Sequence, residues 1–230
     1  MALEFEISIP TGVRDGAPLL VLLHGRGSDR FDLLRLRDGL LPDAIVVTPQ
    51  APFPAAPWGY GPGWAWYRYL GEDRPDPETF DRSHEQLDLF FERIGEHLPV
   101  QRGPIILGGF SQGGTMSLSH ALMFPGAIEY VINFSGFLAN HPRVQVTPET
   151  LRGKRIFWGH GTNDPAIPFS MARAGRRVLE EAGADLVAKD YGIGHWIDPM
   201  ELEDARRWLE GALDEPTRAD RRPEANDRDD

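Results

Sequence analysis

The run Ile105–Phe124, IILGGFSQGGTMSLSHALMF, constrains the fold more than any other stretch of the chain. An apolar segment (Ile105, Ile106, Leu107) meets Gly108 and Gly109, then Phe110, Ser111, Gln112, Gly113 and Gly114, and a helical pattern starts at once. This order predicts strand, tight turn and helix, with glycines where two backbones pass too close for a side chain. Gly109, Ser111 and Gly113 fit G-x-S-x-G, the elbow in which a strained turn lifts a serine hydroxyl above a sheet. The start of the following helix aims N–H groups and a positive dipole end at charge developing beside that hydroxyl. Short glycine and serine patterns arise by chance, so this one asks for an acid and a histidine further along.

The rest of the chain supplies a sheet for the turn to sit on. LEFEISI (3–9) alternates like a half-exposed edge strand, whereas LLVLLHG (19–25) and AIVVTPQ (44–50) are continuous apolar runs, as strands buried on both faces are. A short helix is predicted over Asp29–Leu40 and a longer one from about Ser83 to Leu98. After the elbow come strands at 130–136, 154–161 and 185–191, and helices over Ser170–Ala182 and Glu201–Leu213. Strands alternating with helices imply an α/β fold with a mostly parallel sheet. Residues 51–78 break the pattern with proline and glycine, yet hold Phe53, Trp58, Tyr60, Trp64, Trp66, Tyr67 and Tyr69. Disordered segments are poor in aromatics, so an ordered loop is expected.

Composition narrows the chemistry. The chain has 230 residues, no cysteine and a formal net charge of -11. That length suits one domain, 1–213, with an acidic, disordered tail over 214–230. The lack of thiols excludes thiolate zinc and dithiol redox sites, and the negative charge opposes nucleic acid and anionic membranes as partners. Neither a basic-then-apolar leader nor an apolar run of membrane-spanning length is present, which predicts a soluble protein without a signal peptide.

A serine hydroxyl needs a base to take its proton, and the base needs an acceptor to fix its tautomer. In open α/β sheets both belong on loops beyond the carboxyl ends of strands, in the order serine, acid, histidine. Asp164, in WGHGTNDPAIP, and His195, in YGIGHWI, satisfy that order. His84, His97, His120 and His141 fall on helices or ahead of any suitable acid, and His24 and His160 precede Ser111 or Asp164. Asp190 and Asp198 flank His195 and stay open as its acceptor, while an ordinary role for Asp164 is an Asx-turn before Pro165. The oxyanion requires two backbone donors: the N–H of Gln112 and one from HGRGSD (24–29).

LHGRGSD, PQAP, GFSQGGTMSLS, HGTNDPAIP and GIGHWIDPMELEDARRWL resemble, in order and spacing, motifs of the phospholipase/carboxylesterase family of α/β-hydrolases. The resemblance covers about residues 19–210. It implies an α/β-hydrolase fold with helices on both sheet faces and no lid domain. It further implies catalytic Ser111, Asp164 and His195, an oxyanion hole from the N–H groups of Arg26 and Gln112, and neither cofactor nor metal. Family members cleave carboxylic or thio esters, are mostly cytoplasmic and often dimerise. The expected activity is therefore hydrolysis of small to medium acyl or aryl esters. Thioesterase or lysophospholipase action on longer chains, and a non-catalytic binding protein, are the alternatives. Arg26 departs from the small apolar residue usual after His-Gly, and a cation there would select substrates. Trp58, Trp64, Trp66, Tyr67, Phe137 and Trp196 are candidate substrate-binding aromatics, either as a wall that stacks on flat groups or as plain packing.

Overall fold

The computed structural model describes residues 3–126 and 128–214. The expected tail, apart from Asp214, lies outside the described residues. The strands are β1 (Phe5–Ser8), β2 (Ala17–Leu23), β3 (Ile45–Pro49), β4 (Phe53–Pro54), β5 (Trp64–Ala65), β6 (Arg102–Phe110), β7 (Tyr130–Phe134), β8 (Arg155–Gly161) and β9 (Asp185–Tyr191). The helices are α1 (Arg37–Leu40), α2 (Pro77–Arg93), α3 (Gln112–Met123), α4 (Phe169–Glu181) and α5 (Pro199–Asp214). Seven strands form one sheet in the order β1-β3-β2-β6-β7-β8-β9. Only β1 runs antiparallel, on the outer side of β3. All four of its residues are half-exposed, as at the edge of a sheet.

Strand periodicity sorts the core onto two faces. Leu19, Val21 and Leu23 of β2, Leu107 of β6 and Trp158 of β8 pack with α2, α3 and α4. Their sequence neighbours Leu20, Leu22, Ile106 and Phe157 point the other way, with Leu40 of α1 and Ala205 and Leu209 of α5. Continuous apolar runs are what a sheet covered on both sides demands.

Two helices differ from the sequence reading. The helix expected over Asp29–Leu40 shrinks to a 3-10 turn, Leu34–Leu36, followed by α1. Upstream, Asp29 Oδ1 accepts from Phe31 N–H and Ser28 Oγ donates to Asp32, side-chain bonds that compete with helix formation. Helix α2 begins at Pro77 rather than near Ser83, because Asp76 caps it by accepting from Thr79 N–H at 3.1 Å with proline in the first position. The aromatic segment is an ordered loop carrying the β4–β5 ladder and a 3-10 turn, Ala56–Trp58.

Candidate active site

Strand β6 enters the turn and α3 leaves it with almost no separation. A Cβ on Gly113 would stand 1.9 Å from the Leu23 carbonyl oxygen, and one on Gly109 2.4 Å from the Gly113 carbonyl carbon. Ser111 between them has φ 56°, a left-handed conformation costly for a side-chain-bearing residue, held by its N–H donating to Phe134 O at 2.8 Å. The Ser111 side chain does not cap α3. It faces His195 instead, with Oγ 2.8 Å from Nε2.

His195 follows β9, and its Nδ1 lies 2.6 Å from Asp164 Oδ2. A carboxylate there fixes the proton on Nδ1 and leaves Nε2 as the acceptor for the Ser111 hydroxyl. Asp164 is buried, and its Oδ1 accepts from the N–H groups of Ala166 and Ile167 at 2.8 and 2.9 Å. The Asx-turn and the pairing with histidine thus use different oxygens of one carboxylate. The other two acids are engaged elsewhere: Asp190 pairs with Arg176, and Asp198 accepts from Met200 N–H. His160 sits behind Asp164, donating from Nε2 to Ile167 O at 2.9 Å, and its burial holds it below the ordinary histidine range.

The loop after β2 reaches the same place. Gly25, Arg26, Ser111, Gln112 and His195 share a cavity of about 190 Å³ with Tyr67, Tyr69, Phe110, Phe137, Ala166 and Ile167. This loop is zipped to β5, with Gly27 N–H donating to Trp64 O and Trp64 N–H to Ser28 O, both at 2.8 Å. His24 supports it from below. Ala51 N–H donates to its Nε2 at 3.1 Å, which puts the proton on Nδ1, 2.7 Å from Gly25 O. Burial, as the main cause, lowers the pKa of His24 and keeps the ring neutral for this arrangement.

Of the six candidate binding aromatics, Tyr67 and Phe137 line the cavity. The four tryptophans do not. Trp66 is fully buried and donates from Nε1 to His24 O at 3.0 Å, so it braces the 24–28 loop. Trp64 lies in β5 against the core, and Trp58 packs on Phe53 and Tyr60. Trp196 is 54% exposed and covers Gly194 beside a separate shallow depression. Indoles this large follow the apolar interior unless a cleft is already open for them. Tyr69, Phe110, Ala166 and Ile167 were missed. Phe110 had a signal, since it precedes the serine and its ring packs 4.8 Å from that of His195. Ala166 and Ile167 were equally within reach, two and three residues after the acid.

The side chain of Gln112 explains how the aromatic loop is held. Its Oε1 accepts from Trp66 N–H and its Nε2 donates to Tyr67 O, both at 2.8 Å. Among the described residues no three histidine or acidic side chains converge as a metal site would need, and no helix is long and apolar enough to cross a membrane.

The profile of the phospholipase/carboxylesterase family matches residues 6–213. Acyl-protein thioesterase 1 of Eremothecium gossypii is 29% identical over 227 residues, covering 93% of this chain and 96% of its own length. Among solved structures, esterase PE8 superposes with a TM-score of 0.76 at 30% identity, over 93% of this chain and 100% of that one. The Bacillus cereus carboxylesterase does so at 0.78 and 23% identity, over 91% and 94%, which speaks to the fold.

Proposed function

The chain belongs to the phospholipase/carboxylesterase family and is an ester-cleaving serine hydrolase, and from that premise we propose that it hydrolyses small to medium acyl or aryl carboxylic esters through an acyl-enzyme on Ser111. His195 takes the Ser111 proton as Oγ attacks the ester carbonyl. The N–H groups of Gln112 and Arg26 stabilise the oxyanion, and the acyl–oxygen bond breaks as His195 returns the proton to the departing alcohol. Water then attacks the acyl-enzyme by the same route, releasing the acid and restoring Ser111. Asp164 holds the imidazole in the required tautomer and stabilises the imidazolium.

The observation that carries this reading is the unbroken Asp164–His195–Ser111 chain, 2.6 and 2.8 Å long in its two links, opening into the cavity beside Gln112 and Arg26. At about 190 Å³ that cavity falls below the roughly 300–1,000 Å³ of drug-sized ligand sites. This supports short acyl groups. A second reading has one observation of its own: beyond Phe137 a groove continues along Leu138, Met171, Ala174 and Val178. An apolar chain laid there would make the protein a thioesterase or lysophospholipase acting on longer acyl groups.

Purified protein assayed against p-nitrophenyl esters of rising chain length separates the two. The primary reading expects kcat/KM to peak at short chains; a peak among long chains selects the second. Ser111→Ala should abolish turnover and labelling by a fluorophosphonate. Labelling that survives the substitution refutes the assignment of the nucleophile.

A further inference from the structure

Arg26 contributes more to the pocket than its backbone. Among the described residues it is the only permanently charged one on the cavity lining. The chain has 35 acids against 24 basic residues, and other arginines of the fold use them: Arg30 reaches Glu4 and Glu6, Arg143 reaches Asp81, and Arg176 reaches Asp190. Arg26 forms no such pair among the described residues. Its guanidinium instead lies over the ring of Tyr60, 4.5 Å from the centroid. Tyr60 is itself fixed, since its Oη accepts from Tyr69 N–H at 2.7 Å and Tyr69 lines the cavity. A cation on a ring keeps its charge and most of its N–H donors. The guanidinium thus stacks on Tyr60, near enough to Tyr67 and Tyr69 of the lining to act on both electrostatically, and it forms no ion pair among the described residues.

We infer that Arg26 makes this a pocket for esters that carry a carboxylate near the scissile bond, either on the acyl group or on the alcohol. The inference rests on the reading of Ser111 as nucleophile. Among the described residues the other groups of the lining, Tyr67, Tyr69, Phe110, Phe137, Ala166 and Ile167, bring no acidic side chain. Glu72 and Asp73 line the adjoining groove, which shares Phe137 with the cavity, and their charges act on Tyr69 against that of Arg26. They repel an anion from that groove and leave the Arg26 side as the favourable one. The net charge of -11 repels anions at long range. Productive binding of one therefore depends on a local cation, and a neutral ester gains nothing from it.

The test compares kcat/KM for matched esters. In one arm 4-carboxyphenyl butyrate is set against 4-carbamoylphenyl butyrate, placing the charge on the alcohol side. In the other, the monophenyl ester of adipic acid is set against phenyl hexanoate, placing it on the acyl side. Wild-type enzyme should prefer the anionic ester in at least one arm, and that preference should shrink at high salt. Arg26→Gln should cut the anionic-to-neutral ratio about five- to tenfold, the range for a partly exposed charge-assisted pair, and Arg26→Lys should restore part of it. Taking a ratio within each variant cancels any change in the shared oxyanion donor. A wild-type enzyme that prefers the neutral ester in both arms, or a ratio indifferent to Arg26→Gln, overturns the inference while leaving the esterase reading intact. Failure to cleave any ester, with no fluorophosphonate label on Ser111, overturns the underlying reading instead, and this inference with it.

Discussion

Acid should unfold this protein through a pair of histidines that take no part in the proposed chemistry. His84 on α2 and His120 on α3 are fully buried, with their Nδ1 atoms 3.3 Å apart and their rings stacked 15° from parallel. One Nδ1 must donate to the other, so one ring keeps a buried Nε2–H and its partner a bare Nε2, and neither Nε2 has a hydrogen-bond partner. A further proton would find no acceptor. Burial first, then the charges of Lys154 and Arg143, pushes His120 down to about 3. Burial, His120, Arg143 and His141 push His84 the same way. Asp81 lies 3.7 Å from His141, the third histidine acting on this pair.

An unfolded histidine titrates near ~6.5, so below that pH the unfolded chain binds a proton the folded one refuses, and stability falls as pH falls. For His120 alone the loss is roughly 2 kcal/mol at pH 5 and approaches about 5 kcal/mol near pH 3, since each pH unit travelled between the unfolded and folded values costs ~1.4 kcal/mol. Domains of this kind have about 5–15 kcal/mol in total. Urea unfolding followed by circular dichroism at pH 7 and pH 5 should show the loss, and the His84→Leu/His120→Leu double variant should lose at least about 2 kcal/mol less over that interval. Carbon-13 titration of the wild-type histidines tests the same point without a variant. A ring of either residue titrating near ~6.5 in the folded protein refutes the reasoning.

Glu201 should act in the opposite direction. Burial raises its carboxyl to about 8, and its Oε1 lies against Gly159 without a hydrogen-bond partner. A raised carboxyl keeps its stability below the unfolded value near ~4.3 and loses it as pH rises through the folded one, a cost of roughly 4–5 kcal/mol by pH 9. Glu201→Gln should therefore be the more stable protein at pH 9 and not at pH 5, and parallel unfolding curves at both pH values would contradict this. Asp164→Asn should lower kcat by about three to four orders of magnitude while the fold persists, since an amide accepts poorly from Nδ1–H; a loss below tenfold would remove Asp164 from the mechanism. Gln112→Met keeps the backbone donor but strands Trp66 N–H and Tyr67 O in the interior, at a cost of about 2–4 kcal/mol measurable by urea unfolding. Near-native stability would mean that these groups find other partners.

What could be read from residues alone followed local rules. The elbow, the buried strands and the order Ser111, Asp164, His195 each rest on a short pattern with one structural solution, and the structure brings those three side chains into contact. The start of α2 was also within reach: Asp76, Pro77 and Thr79 form a capping signal that the surrounding prolines and aromatics obscured. The roles of the loop aromatics were not legible. Trp66 and Tyr67 are adjacent and equally buried, yet only Tyr67 reaches the cavity. The difference is which way each ring turns once the backbone between them is pinned. That is decided by Gln112, 46 residues from Trp66 and 45 from Tyr67, and no local pattern carries it.

The same residue ties the wall of the pocket to its proposed chemistry. Gln112 opens α3 with the N–H assigned to the oxyanion, and its side chain grips the loop that presents Tyr67. Trp66, held by that grip, donates to His24 O, and His24 in turn contacts Gly25, next to the second proposed donor at Arg26. One hydrogen-bonded path thus runs from the first donor through the aromatic loop to the second. The tryptophan-rich segment is the hydrogen-bonded link between the backbone positions of the two proposed donors. Trp66→Phe, which deletes the indole N–H and part of a buried ring but leaves the cavity lining itself unchanged, should therefore lower kcat more than it raises KM. An increase in KM alone would show that the loop shapes the binding wall without acting on the donors.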